Sequence, residues 1–227
     1  VCNAEPDHLL RHRCAIHDGI AFYPPDYRLK FVKSGFDLIS SQRKNRMTRN
    51  ELIELADLMN GVGLVAQGNY ATWAGHGGQA VPEHFMQSEL YRHIAIKFGD
   101  AYDIRMEARM SELNLPGQGR ADIAISESSE NQTARCIIEI KRGFRINGFS
   151  NDYGSLQNMR HQIYGLKAAL FVYSSFMEEK NLIAASDNLR RIVNAGNIRS
   201  SSVFNTYGRN GAPVFYQSHV LLVPRQT

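Results

Sequence analysis

The sequence predicts an α/β fold, and three observations carry that expectation. Between residues 103 and 141 three short runs, DIRMEARM, RADIAI and ARCIIEIK, have strand composition and are separated by turn-forming residues. Helical patterns flank them: Met86, Leu90, Ile94 and Phe98 recur every four residues before, and Leu156, Met159, Ile163 and Leu166 every three or four after. A further apolar run at 168–173 reads as a fourth strand. From residue 81 the expected order is helix, three-strand meander, helix and strand. A helix at 177–194, a Ser-, Asn- and Gly-rich loop at 198–213 and a strand at 219–223 complete it.

Residues 1–47 have few periodic runs, with a short strand or turn as the reading of 31–39. Residues 48–60 read as a helix. Thr48 is a cap, Glu51 stands three residues on as its capping-box partner, and Leu52, Ile53, Leu55, Ala56 and Met59 form an apolar face. Gly61 and Gly63 are expected to stop it, and the glycine-rich stretch 61–80 to form a loop or linker. The expected organisation is therefore a mainly helical or irregular N-terminal attachment, residues 1–80, serving recognition or dimerisation, and a main domain, residues 81–227. The helix 82–98 opens that domain, with Pro82 in its first turn. The loop at 143–151 precedes a helix at 153–167.

At 43% hydrophobic residues the chain carries enough apolar material for a packed core, which excludes the disordered class. No run approaches the roughly 18 unbroken apolar residues of a membrane span. Cys2, Cys14 and Cys136 do not make a disulfide framework, so a reducing, cytoplasmic setting is expected. Cys2, His8, His12, Cys14 and His17 lack a zinc-ligand spacing. The glycine pair Gly61 and Gly63 lacks the GK[ST] ending of a phosphate loop. The net charge of +4 is modest, but it is unevenly spread. Lys30, Lys33, Arg43, Lys44, Arg46 and Arg49 face a single acid, Asp37, and Lys141, Arg142 and Arg145 form a second basic run. Both suit contacts to phosphates.

The chemistry-bearing residues are Asp122, Glu139 and Lys141. Glu139 and Lys141 alternate with Ile138 and Ile140, so they share one face of a strand whose other face is apolar. Asp122 lies on the preceding strand between Ala121 and Ile123, within reach of Glu139 if the two strands pair. Two carboxylates with a backbone carbonyl make an oxygen site suited to Mg²⁺, beside a lysine placed near an attacking water.

This pattern resembles the PD-(D/E)xK nuclease superfamily, whose restriction-endonuclease-like core has a helix bearing a glutamate, three strands carrying the Asp and the E-x-K, then a helix and a strand. The resemblance covers residues 83–175. It matches Glu89 to the helix glutamate, Asp122 to the Asp and Glu139–Ile140–Lys141 to the E-x-K; the family's proline has no counterpart in Arg120, Ala121, Asp122. It implies phosphodiester hydrolysis with Mg²⁺, Mn²⁺ able to substitute. Asp122, Glu139 and the Ile140 carbonyl would hold the ion, with Glu89 at a second ion or its waters. It also implies a role for Gln157 on the following helix and, less directly, for Glu107. Arg142 and Arg145, with Lys44, Arg46 and Arg49, would grip nucleic acid.

The expected function is that of a DNA endonuclease, with a homodimer as the candidate assembly, in a restriction or phage-defence setting. The alternative is a non-catalytic nucleic-acid-binding module on the same fold. The residues also have ordinary readings: Glu139 and Lys141 as an edge-strand ion pair, Asp122 as a turn residue, Glu89 and Gln157 as helix surface.

Overall fold

A computed structural model describes residues 47–74, 80–127, 133–193, 197–207 and 211–225. The chain divides into two compact units, residues 1–42 and 43–227, and all described residues belong to the second. The strand or turn expected at 31–39, the Cys/His cluster, Lys44 and Arg46 lie outside the described residues.

The described elements are α1 (Arg49–Ala74), α2 (Glu83–Phe98), β1 (Tyr102–Arg109), β2 (Arg120–Glu127), β3 (Ala134–Arg142), α3 (Ile146–Gln162), β4 (Lys167–Phe176), α4 (Glu179–Ile192), β5 (Ile198–Ser200), β6 (Phe204–Tyr207) and β7 (Pro213–Leu222). They make a mixed α/β fold around one open sheet of order β1-β2-β3-β4-β7-β5, with β6 also pairing β7. β1, β2 and β3 form an antiparallel meander. α3 crosses over to place β4 parallel to β3, and β7 returns antiparallel to β4. Apolar residues of α1 and α2 pack one face of the sheet, through Leu55, Met59, Met86, Leu90, Ile138 and Phe171. Those of α3 and α4 pack the other, through Phe149, Leu156, Leu170, Leu182 and Leu189. Among the described residues no helix is long and apolar enough to cross a membrane.

The capping box at the start of α1 is formed: the Glu51 N–H donates to Thr48 Oγ1 at 3.1 Å, and the Thr48 N–H donates to Glu51 Oε2 at 2.8 Å. The helix does not stop at Gly61. It runs to Ala74, and the reason is packing: a Cβ on Gly63 would collide with Tyr216 Oη and come within 2.9 Å of Phe171 Cζ. Gly63 is therefore a close-approach residue beneath the sheet. α1 buries Leu55, Met59, Val62 and Ala66 in the same core as α2, so the helix that sequence reading set before residue 80 shares its core with the sheet.

Other boundaries shift for local reasons. α3 starts at Ile146, inside the expected loop, because Phe149 joins Leu156 in the second cluster. It ends at Gln162, because Ile163 turns extended and Gly165 adopts a φ of +88°. The expected loop at 198–213 instead contributes β5 and β6, which lie one after the other along the edge of β7. A buried polar network joins this edge to α1. Ser218 Oγ donates to Asn60 Oδ1 at 2.7 Å, and Asn60 Nδ2 donates to the Arg199 carbonyl at 3.2 Å.

The two glycines of α1 give a paired prediction. Gly61 has open space where an added methyl would sit, so Gly61→Ala is expected to stabilise the protein by about 0.5–1 kcal/mol through helix propensity. Gly63→Ala gains the same propensity but overpacks the core, and a net loss of roughly 1–2 kcal/mol is expected. Urea denaturation of the two variants checks the opposite signs.

Candidate functional site

At the carboxyl ends of the parallel pair β3 and β4, the ladder between β2 and β3 comes apart. Its last pair at that end is Ile123 with Ile138. One step further would set Asp122 opposite Glu139. Instead, the Asp122 carboxylate turns to accept the Ile140 N–H, Oδ2 to N at 2.7 Å. The Asp122 and Glu139 side chains then meet half-buried and share a hydrogen bond. Burial, followed by the nearby Asp122 carboxylate, pushes the Glu139 pKa up to about 8. Burial also raises Asp122, against the Ile140 N–H and the Lys141 ammonium, which favour its ionised form.

Lys141 sits at the centre of the acids. Its Nζ lies 3.6 Å from Glu83 Oε1 and 3.5 Å from Asp152 Oδ2. Burial opposes its charge, but Glu83, Asp152, Asp122 and Glu139 together outweigh that and hold its pKa above the ordinary lysine value. The ammonium is thus fixed and permanently charged.

The position of Glu83 follows from how α2 is seated. Val81 is held twice: its N–H donates to the buried Gln67 Oε1 of α1 at 2.9 Å, and its carbonyl accepts the Tyr173 hydroxyl of β4 at 2.8 Å. Pro82 then opens the helix, and Glu83 Oε2 accepts the Arg142 N–H at 3.1 Å. One turn on, the buried Gln87 amide donates to the Asp122 carbonyl at 2.9 Å and to Glu107 Oε1 at 2.7 Å. Glu107 reaches it from a left-handed backbone, φ +55°, where the pairing of β1 with β2 lapses for one residue between Met106 and Ala108.

The structure thus brings together Asp122, Glu139 and Lys141, and sets Glu107 behind Asp122 through Gln87. It does not bring Glu89 to them: Glu89 Oε2 pairs with Arg92 at 3.0 Å and lies 4.0 Å from His93 Nε2. Gln157 is half-buried on α3, and it is Asp152, five residues earlier, that reaches Lys141. Ile140 contributes its N–H to Asp122. Arg142 and Arg145 are exposed at the same end of the sheet, while Arg49 is exposed at the start of α1. Sequence reasoning missed Glu83, Gln87 and Asp152. It also missed Arg109 and Arg120, paired across β1 and β2 next to Asp122, which line a shallow cleft of about 320 Å³ with Gly117 and Gly119. The signal for the first two was present, since Glu83, Gln87, Leu90 and Ile94 have helical spacing on the core side of α2.

Among the described residues no three His, Cys, Asp or Glu side chains form a ready metal cage; the acids converge on an ammonium instead. The donor chemistry nonetheless fits Mg²⁺, which takes one or two carboxylates and completes its shell with water and substrate oxygens. The Asp122–Glu139 pair supplies two hard oxygen donors whose crowding a divalent cation would relieve. The chain matches no protein-family model, no curated protein and no solved structure.

The raised Glu139 pKa fixes a sign for stability. The folded state binds this proton more tightly than the unfolded chain, whose carboxyl titrates near 4.5, so the associated stability is lost as pH rises toward about 8. Buried His219 acts oppositely: burial, then Arg190, lower its pKa to about 4, and stability is lost as pH falls below 6.5. The two offset one another in mildly acid solution. Thermal melts of the metal-free protein should therefore show Tm falling between pH 6.5 and 8, a decline that Glu139→Gln abolishes and Mg²⁺ reverses. A flat parent profile over that range would contradict the assignment.

Proposed function

We propose that this protein is a metal-dependent nuclease with a restriction-endonuclease-like core, acting on DNA. The observation that carries the reading is the half-buried Asp122–Glu139 pair with Lys141 two residues on, at the end of the sheet where β2 and β3 part. Its support from architecture is the order α2, β1–β2–β3, α3, β4, which is the element order of that core.

In this reading Asp122 and Glu139 would hold Mg²⁺, which when bound polarises a phosphoryl oxygen and lowers the pKa of a water ligand. The chain's own residues do the rest. The Ile140 N–H fixes the Asp122 carboxylate, and Gln87 fixes the backbone that carries it. Lys141 presents a held positive charge to the phosphate oxygens as negative charge develops there. Glu83 and Asp152 orient that ammonium, so Glu83 takes the place on α2 that the resemblance gave to Glu89. Arg142, Arg145, Arg109 and Arg120 face the same end of the sheet and suit contacts to the sugar-phosphate backbone, which position the polymer without reading its sequence.

A second reading, a non-catalytic nucleic-acid-binding module, draws on the ion-paired state of Lys141, whose ammonium is engaged by Glu83 and Asp152. Cleavage assays separate the two. Supercoiled plasmid, linear DNA and RNA are incubated with Mg²⁺, Mn²⁺ or EDTA. The parent is expected to cut DNA only with the metals. Glu139→Gln and Lys141→Ala should each lower the rate by about 10²–10³-fold. Glu83→Gln should lose roughly tenfold, the usual scale for an orienting partner, and Glu89→Gln little. Binding of DNA without cutting by any folded form would establish the module instead.

A further inference from the structure

The sheet has a second polar centre at its other end. Lys167 begins β4 opposite Cys136, six residues from the Tyr173–Arg142 pair that marks the acid–lysine site. At about 3.3 Å per strand residue the two ends lie roughly 20 Å apart. There a cleft of about 460 Å³ opens between the start of α1, the end of α3 and the strands β4, β5 and β7. Among the described residues its charged lining consists of Arg49, Arg160, Lys167 and Arg199, with no Asp or Glu. Among the described residues none of these four cations is ion-paired with a carboxylate.

The cleft is built, not an accident of flexible side chains. The Arg160 guanidinium is clamped by backbone: Nε donates to the Leu166 carbonyl at 3.0 Å, and Nη1 donates to the Val223 carbonyl. Burial lowers its pKa, with Cys136 opposing the shift and Arg225 adding to it. Arg49 and Arg199 are exposed and free to close on a ligand from either side. The rest of the lining is apolar apart from Asn197, and includes Leu52 and Ile53 of α1 and Ile198 of β5.

Four uncompensated cations select an anion, and arginine forks match the oxygens of phosphate. An apolar wall beside them suits a flat, weakly polar group attached to that phosphate. We propose that this cleft binds a nucleotide unit, its phosphate on Arg49, Lys167 and Arg199 and its base against the apolar wall. The unit is either a free nucleotide or one residue of a nucleic-acid strand. The site is separate from the acid–lysine centre and does not depend on that centre's activity.

The test uses the full chain in EDTA, so that no cleavage intervenes. Calorimetric titrations with AMP, pyrophosphate, adenosine and a short DNA duplex are run on the parent, on an Arg49→Glu/Arg199→Glu variant and on Arg142→Glu, with Tm checked for each. AMP binding that weakens with salt and falls at least about tenfold in the double variant, but not in Arg142→Glu, establishes a free-nucleotide site. Duplex binding alone with the same variant pattern assigns the cleft to a strand. Absence of binding by any phosphate ligand, or binding that only Arg142→Glu weakens, overturns the proposal. The cleavage assay is unaffected by either failure, so the nuclease reading stands or falls separately.

Discussion

The carboxylate of Asp122 on the Ile140 N–H is the interaction on which the candidate site depends. An N–H at that position in an unbroken ladder would be satisfied by a backbone carbonyl of β2. Satisfying it with a side chain lets the strands part without leaving an orphaned donor, which would cost about 1–3 kcal/mol. It also anchors one carboxylate where the next acid along, Glu139, must meet it. The crowding of the two acids follows from that single substitution of partner, and it adds to the burial that raises the Glu139 pKa.

The parting of the strands is held from outside the meander. Gln87 ties the Asp122 carbonyl to α2, and α2 is itself located by the two bonds to Val81 from Gln67 and Tyr173. Tyr173 stacks on Phe171 and neighbours Tyr216, and that aromatic layer is the one against which Gly63 of α1 closes. Core packing and site geometry are therefore one problem. A displacement of α1 would move Val81, then Glu83, then the acid partner of Lys141.

This connection explains what the sequence could and could not disclose. The three strands of the meander were legible because each alternates or runs apolar between turn residues, and Glu139 and Lys141 stood out as charges among isoleucines. Glu89 lies apart from the acid–lysine cluster for a rotational reason. Glu89 precedes Leu90 by one residue and is turned about 100° from the buried stripe, where it finds Arg92. Glu83 lies one turn before Gln87 on the core side. Asp152 was hidden because α3 begins in a stretch rich in Asn, Gly and Ser, where local composition favours a loop. The continuation of α1 through Gly61 and Gly63 was not legible at all. What Gly63 accommodates is the side chain of Tyr216, more than 150 residues away in the chain.

The modest net charge conceals a division of labour between the two ends of the sheet. At one end the cation Lys141 is outnumbered by Glu83, Asp152, Asp122 and Glu139, so the acids dominate the local field. At the other end arginines and a lysine line a cleft without an acid. A polyanion approaching the molecule would meet attraction at the cleft first, and at the acid centre only where Arg142, Arg145, Arg109 and Arg120 outweigh the carboxylates. Loss of the proton shared by Asp122 and Glu139 makes that centre more negative, which repels phosphate and attracts a divalent ion. Under the proposed nuclease reading, a cation held by the acid pair would offset this negative charge and favour the approach of a phosphodiester to Lys141.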